Sequence, residues 1–519
     1  GDFGHATSSN SLRVIHGGLR YLQHGALLRM RQSIRERSVF LRIAPHLIHP
    51  LPFLFPTYGH GLRGKELFSL ALFIHDLIGF DRNQGLNHKN FLRSSHLISK
   101  EEFRRLVPGI DDEGLTGAAL CYDAQMLNPE RLLMSLAQSA DQAGAHLANY
   151  VKITGFLGSG DEVQGVIARD VLSDEKLEIQ AHLVINASGP WANRVLNLNQ
   201  DPKVAPVTSF GRAFNILIKR QLVPNYALGV HSRGKYKDCQ AIIQKGSRLF
   251  IITPCHQGSL IGTAHLPLGP ERPHNGVTEA EIMGFVDELN KGFPAGAIRP
   301  SDIAWVYWGI QPTPNLDEEM AQFSKRYEIK DHEYEQGIKG LISVIGVKFT
   351  EARHVAEKVV NLVFKKFRKT PTSSLTASTP VYGGKIDDVE GFMNEEARRQ
   401  SNRLSEEMIR SLITKYGAAY PGVLFCLDEV RRAWPSLPLT QAVRLAEVMY
   451  GVREEGAQKL TDAVFRRMTI DFTQSPPEKD FLELCAVCMS KEMGWDGNKE
   501  RNELREVEEI IQSRISPLT

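Results

Sequence analysis

At 519 residues the chain is longer than one hydrophobic core ordinarily needs, so two or three domains and an enzyme-sized molecule are expected. A charged fraction of 24% with a net charge of +2 excludes a basic nucleic-acid-binding arm and a disordered chain, and no stretch reaches the roughly 18 apolar residues of a membrane span. Cys121, Cys239, Cys255, Cys426, Cys485 and Cys488 are scattered, which reads as core packing in the cytoplasm or on the cytoplasmic face of a membrane, not as a disulfide framework.

The opening segment Gly1 to Gly18 is rich in small and hydroxyl residues and turns helical from about Leu19, as a ligand-hugging loop does when it enters a helix. From Leu27 to Ile43, apolar Leu27, Met30, Ile34 and Leu41 alternate with Arg29, Arg31, Arg35, Arg37 and Arg42. This predicts an amphipathic helix with a solvated arginine face; contact with anionic lipid is the other use of such a face. Prolines between Pro45 and Pro56 break the helix and Glu66 to Gly79 restores one, an arrangement suited to a cap over a pocket. The string Gly59-His-Gly-Leu-Arg-Gly64 follows this broken stretch instead of a strand, so it reads as a chance match to a dinucleotide motif.

Asn128 to Asn149 reads as a helix feeding strands through Leu157, Val163 to Val171 and His182 to Asn186. Phe214 to Ile218, Ala241 to Gln244, Leu249 to Thr253 and Ser259 to Thr263 predict a second, largely antiparallel sheet, the floor of a substrate domain. After Trp305 to Gly309, the strand Leu341 to Ile345 meets Gly346 and a helix from about Thr350 to Phe364, a unit of α/β type. Lys369 to Pro380 is a polar linker, and the pattern beyond Asp387 is helical.

Two strand ends look built to bring main chain against a flat, charged ligand. One is Leu183-Val-Ile-Asn-Ala-Ser-Gly-Pro-Trp191, where Ala187, Ser188 and Gly189 permit close approach; a tight strand-to-helix turn is the plain alternative. The other is Ile345-Gly-Val-Lys-Phe-Thr350, where a helix start and Lys348 favour negative charge, such as develops on the pyrimidine end of a reduced flavin.

With these turns stand Thr7-Ser-Ser9, Ile15-His-Gly-Gly-Leu-Arg-Tyr-Leu22, Glu36-Arg37, Ala44-Pro-His-Leu47, Ile261-Gly-Thr263, Ser343 to Thr350 with Arg353, and Leu460 to Thr469. On these strings the chain resembles the FAD-dependent glycerol-3-phosphate dehydrogenases, within the wider amino-acid-oxidase-like flavoproteins. The resemblance implies an α/β fold with an α+β substrate domain. An FAD-binding Rossmann-like domain would be assembled from residues 1–44, 128–204 and 305–368, with a cap and substrate region at 45–127 and an antiparallel substrate sheet at 205–304. A linker at 369–386 would lead to a helical domain at 387–519.

The same resemblance implies FAD as cofactor, hydride transfer from the middle carbon of glycerol 3-phosphate to the flavin, and dihydroxyacetone phosphate as product. It further implies a quinone acceptor and peripheral membrane contact, and leaves a homodimer open. Thr7, Ser8, Ser9, Gly17, Gly18, Ala187, Ser188, Gly189, Gly346, Val347, Phe349 and Thr350 would line the cofactor. Arg20 would hold the anionic or developing oxygen of the substrate and Lys348 would lie between substrate and flavin, the alternative for each being a surface salt bridge. His16 acts on the flavin or fixes the loop.

The sequence departs from the family in two places. The glycine-rich pyrophosphate turn that should precede Gly1 is absent, so the sequence as written predicts weak FAD retention and an N-terminus that lies upstream. On the substrate side, Gln311 stands for an arginine, His265 for an aspartate, and Gly211-Arg-Ala-Phe214 lacks a histidine. Arg212 and His265 are the residues available to compensate, or the substrate is another hydroxy acid, amine or polyol; a degenerate, non-catalytic flavoprotein is the remaining reading. Cys485-Ala-Val-Cys488 lacks a second ligand pair, and no metal site is expected.

Overall fold

A computed structural model describes residues 1–61, 64–110, 113–159, 161–199, 206–232, 248–268, 276–293, 296–313, 327–473 and 477–515. Its first strands are β1 (Val14–Ile15), β2 (Ile48–Tyr58), β3 (His96–Ile98), β4 (Leu115–Met126), β5 (Val151–Ser159), β6 (Glu162–Asp170), β7 (Lys176–Gln180) and β8 (Val184–Asn186). There follow β9 (Ser209–Ile218), β10 (Ala227–His231), β11 (Leu249–Cys255), β12 (Gly258–Pro267), β13 (Ile303–Thr313), β14 (Glu328–Asp331) and β15 (Leu341–Ile345). The strand expected at Ala241 to Gln244, and Cys239, lie outside the described residues.

The large sheet runs β1-β4-β2-β10-β11-β12-β9-β13, with β3 added on β4. Its neighbours are antiparallel except β2 and β10, which are parallel. One face packs Phe214, Ile216, Phe250 and Ile252 against Ile282, Phe285 and Leu289 of the helix Glu279–Gly292. Phe285 sits edge-on to Phe214 and Phe250, with ring centroids 5.4 and 5.1 Å away. The helix starts on a capping box in which Thr278 and Glu281 satisfy each other's backbone N–H groups. The opposite face of the sheet carries the candidate site.

The helix from Leu27 ends at Ile43, before the prolines as expected, and the proline-containing stretch that follows it is strand β2. Its prolines stand at 50, 52 and 56, all of one parity, so the N–H groups they lack all face one edge of the strand. The other edge is left intact, and the β2–β4 ladder runs from Ile48 to Tyr58 while β10 pairs only with Phe53 and Leu54.

β14, β15 and β8 form a second sheet in which β8 and β15 are parallel neighbours, Ser343 lying opposite Asn186. Their carboxyl ends therefore open side by side. β5, β6 and β7 form an antiparallel meander.

Helix α1 (Leu27–Ile43) corrects the solvated-arginine expectation: Arg37 is fully buried and ion-paired to Asp123, Arg29 pairs with Glu351 at 3.2 Å, and Arg31 is bound by Asp81. Arg37 is buried and Arg29 nearly so because each meets a carboxylate distant in sequence, whereas Arg31 stays part-exposed and Arg35 exposed. Helix α2 (Lys65–Ile78) packs Ile74 and Ile78 against Tyr21, Met30 and Ile34.

The helices from Val389 to Ile515 surround their own core, to which Leu412, Val423, Leu445, Cys485 and Cys488 contribute. Buried ion pairs join it to the rest: Arg131 to Glu455 at 2.6 and 2.7 Å, and Arg467 to Asp2 at 2.8 Å. Asp2 also holds Arg466, so the opening loop is pinned at its very start.

Candidate active site

The loop that leads into β1 lies along β13. Thr7, Ser8 and Ser9 form a tight helical turn ending at Asn10. The Thr7 hydroxyl donates to the carbonyl of Ile310 at 2.9 Å, and a Cβ at Gly309 would stand 3.1 Å from that hydroxyl, so the close approach uses the glycine. Ser9 is spent within the loop, donating to the carbonyl of Gly4 at 2.6 Å. Asn215 of β9 donates to the Asn10 carbonyl at 3.0 Å.

This loop touches both strand-end turns. His5 stacks on Trp191, just after β8, with centroids 5.5 Å apart, and the backbone N–H of His16 donates to Thr350 Oγ1 at 3.2 Å, just after β15. At the first turn Ser188 Oγ donates to Asn186 Oδ1 at 2.6 Å, beside Ala187; Gly189 is left-handed and a Cβ built on it would meet nothing within 4 Å. At the second, Gly346 is left-handed, Val347 is exposed, Phe349 packs against the core beside α1, and Thr350 is buried. A short turn, Phe349–Glu351, precedes the helix Ala352–Lys366, whose Arg353 pairs with Glu36 at 2.6 Å and so clamps it to α1.

Gly17 donates its N–H to Asp123 Oδ1 at 2.5 Å, and the guanidinium of Arg37 holds that carboxylate and the Tyr122 carbonyl. A Cβ at Gly17 would stand 2.3 Å from Arg37 Nη1, so any other residue there would push the buried Arg37 guanidinium off Asp123. Left-handed Gly18 then turns the chain into the short helix Leu19–His24. Asp123 was not singled out from the sequence; its signal is an acidic residue within an otherwise apolar strand facing a helix rich in arginine.

The helix Leu19–His24 presents Arg20 to solvent and buries Tyr21. Tyr21 gathers the site's ring and cation contacts: His16 is edge-on at 5.7 Å, Arg29 lies 4.5 Å over its ring and Lys348 Nζ 5.9 Å from its centroid. Burial, then the charges of Lys348, Arg29 and Arg37, push the His16 imidazole down to about 3, so it is neutral. Among the described residues its buried Nδ1 has no hydrogen-bonding partner.

On the sheet, Gln311 lies opposite Gly211, and both Gly309 and His265 lie opposite Ala213. Strand alternation therefore puts Gln311 and His265 on one face, flanking the small residues Gly211 and Ala213 of β9. Burial, followed by Arg248, Arg20 and Lys348, lowers the His265 imidazole to about 3. Arg20, Lys348, His265 and Gln311 are thus gathered around one region.

Arg212 is not part of it. Neighbouring Ala213 on β9, it faces the other side of the sheet, where its guanidinium is bidentate to Glu281 at 2.6 and 3.2 Å and donates to the Gly276 carbonyl at 2.8 Å. Its expected role as a compensating phosphate ligand is corrected on that ground: its donors are committed behind the sheet.

Residues 1–346 match the family described as FAD dependent oxidoreductase. The chain belongs to that family. Residues 374–500 match the C-terminal domain of alpha-glycerophosphate oxidase, so the family's oxidoreductase unit carries a helical domain of that type here. Among relatives of this FAD dependent oxidoreductase, a glycerol-3-phosphate dehydrogenase of Synechocystis is 28% identical over 99% of this chain and 91% of its own length. The aerobic glycerol-3-phosphate dehydrogenase of Staphylococcus haemolyticus is 25% identical over 98% of this chain and 88% of its own. An alpha-glycerophosphate oxidase of Streptococcus pyogenes is 26% identical over 90% and 82%. The structure of glycerol-3-phosphate dehydrogenase from Bacillus halodurans complexed with FAD superimposes with a TM-score of 0.78 over all of this chain and 89% of that one at 21% identity, which establishes a shared fold.

FAD is the cofactor of this family. The residues present fit the ring end of a flavin: the space beside Gly189 is open, a second left-handed glycine stands at the adjacent strand end, and the buried Nδ1 of His16 awaits a partner between them and the opening loop.

Proposed function

We propose that this FAD-dependent oxidoreductase oxidises the secondary alcohol of glycerol 3-phosphate to dihydroxyacetone phosphate and passes the electrons to a quinone. The observation that carries the reading is the convergence of Arg20, Lys348 and His265 beside two neighbouring strand ends and the loop from Thr7 to Gly18. Bound FAD supplies the hydride acceptor.

The chain's own residues supply charge and orientation. Arg20 attracts the anionic end of the substrate, and Lys348 stabilises negative charge as the carbinol hydroxyl loses its proton. His16 and His265 are held neutral by burial and neighbouring cations, the form that accepts a proton or donates a single hydrogen bond without adding repulsion. Thr7, Ser8, Ser9, Gly17, Gly18, Ala187 to Gly189 and Gly346 to Thr350 provide the main-chain cradle for the cofactor.

Membrane contact joins this reading through α2. Leu70, Phe73 and Leu77 recur along that helix at intervals of three and four residues, all exposed, with Phe80 beyond its end, and Leu28 of α1, the helix packed against α2, is 90% exposed. A face of this kind is suited to a bilayer surface, where a lipid-soluble quinone resides. Among the described residues no helix is long and apolar enough to cross a membrane.

Gln311 favours a second reading, a hydroxy acid whose carboxylate needs less countercharge than a phosphate dianion. Steady-state turnover of the FAD-loaded protein with a dye acceptor separates the two. Glycerol 3-phosphate as preferred substrate supports the first, and preference for lactate or glycerate supports the second.

A further inference from the structure

The string Leu460 to Thr469 has no place in the site described above, yet its two arginines reach the loop that enters that site. Arg466 and Arg467 belong to a π-helical turn, Ala463–Arg467, of the helical domain. Successive side chains of an α-helix diverge by about 100°, whereas these two meet on one carboxylate, that of Asp2. Arg467 Nη1 and Nη2 donate to Asp2 Oδ2 and Oδ1 at 2.8 Å each, and Arg466 Nε donates to Oδ2 at 2.6 Å. Asn149 Nδ2 links the same carboxylate to the Gly456 carbonyl, at 3.1 and 2.7 Å.

Asp462 accepts a second bond from Arg466 and one from the Tyr150 hydroxyl at 2.7 Å, and Glu455 lies between Arg467 and Arg131. The guanidinium groups of Arg131, Arg466 and Arg467 thus face the carboxylates of Asp2, Asp462 and Glu455, nearly all of them sealed from solvent. A buried carboxylate is tolerated only where its partners stand, so the network fixes where Asp2 lies. From Gly1 to Ser11 the chain joins no strand, and few contacts place it. The Asp2 carbonyl accepts from His5 Nδ1 at 2.7 Å, and His5 stacks on Trp191 in the turn that holds Gly189. A shift of Asp2 is therefore passed through His5 to a wall of the candidate flavin site.

We propose, on the reading above that this loop walls the flavin, that Arg466 and Arg467 are positioning residues for the cofactor. Through Asp2 they set the course of residues 3–10, so a turn of the helical domain contributes to FAD binding without lining the site. Without the clamp the loop takes several positions, and FAD then has to order it on binding, which lowers the affinity. Arg466 is the residue to replace, because its side chain is 12% exposed. Arg467 is fully buried and also donates to the Glu455 carbonyl at 2.9 Å, so its loss endangers the helical domain itself.

FAD titration of the full-chain apo-protein, followed by flavin fluorescence, tests this together with hydrogen exchange on the same samples. Both are run well below each variant's melting temperature, so that folded protein is compared with folded protein. Arg466→Met raises the FAD Kd by about tenfold, the effect of losing a charge-assisted bond, and speeds exchange over residues 3–10 but not across the helix Leu439–Glu455. Arg466→Lys, which keeps a cation on Asp2, recovers most of the loss. Asp2→Asn cuts the clamp from the other side and weakens FAD at least as much, and adding Arg466→Met to it weakens FAD no further. Unchanged FAD affinity in both Arg466→Met and Asp2→Asn overturns the proposal, and so does exchange that rises equally in the loop and the helical domain. If Arg466→Met leaves the Kd unchanged while Thr350→Val raises it, the cofactor site stands and the coupling to the helical domain fails. If Arg466→Met frees the loop with no change in Kd, the loop is not a wall of the flavin site, and that reading fails with the proposal.

Discussion

The backbone N–H of His16 donates to Oγ1 of Thr350 across 334 positions of sequence, at 3.2 Å, and ties the entry loop to the turn after β15. This bond holds two walls of the candidate flavin site at a fixed spacing. Replacing Thr350 by valine removes the acceptor at nearly constant volume and leaves a buried N–H unpaired, at a cost of about 1–3 kcal/mol. FAD titrations followed by flavin fluorescence then give a Kd weakened about tenfold or more, with Thr350→Ser close to wild type.

Arg37 and Asp123 form a support beneath the same loop. Arg37→Met leaves the carboxylate that receives the Gly17 N–H without its buried partner, and a loss of about 3 kcal/mol in unfolding free energy is expected from urea denaturation. Gly17→Ala forces the loop off Arg37 and lowers FAD affinity in parallel.

Arg20 and Arg212 separate binding from structure. Arg20→Ala raises KM for glycerol 3-phosphate by about tenfold or more through loss of a charge-assisted contact. Arg212→Met leaves Glu281 unpaired and lowers the unfolding midpoint, while KM stays at the wild-type value. Steady-state kinetics and thermal melts on both variants check the assignment.

Acid sensitivity is built into His46, which is fully buried, has neither ring nitrogen hydrogen-bonded among the described residues, and is lowered to about 3 by burial and then by Arg131. An unfolded histidine titrates near 6.5, so between that pH and about 3 the unfolded chain binds the extra proton. Its contribution is therefore complete above about pH 6.5 and is lost as pH falls, at up to about 1.4 kcal/mol per pH unit. His46→Leu should flatten the decline of the urea midpoint between pH 6 and 4; an unchanged slope would assign it to the other buried histidines, such as His16, His49 and His265.

The parts of the fold visible in the sequence were those written in local pattern. Leu341 to Ile345 is an apolar run closed by glycine, and the strand has those bounds; Leu27 to Ile43 is likewise a helix over the expected residues. β2 was hidden because proline content speaks against a strand unless the parity of the prolines is read against a neighbour. β4 was missed because Gly117 and Asp123 interrupt its pattern, and Asp123 has a purpose only once Arg37 and Gly17 stand beside it.

The same limit applied to the site. The motifs bring the loops and Lys348 forward as candidates, but not the side of the sheet each residue faces, so Arg212 looks as available as His265. Register across β9 to β13, a long-range property, separates them.

The most direct test of the account is anaerobic mixing of the FAD-loaded protein with glycerol 3-phosphate while the flavin spectrum is recorded. Stoichiometric bleaching of the oxidised flavin is expected, with one dihydroxyacetone phosphate formed per flavin and reoxidation by an added short-chain quinone. Oxidised flavin that persists with glycerol 3-phosphate but bleaches with a hydroxy acid would contradict it.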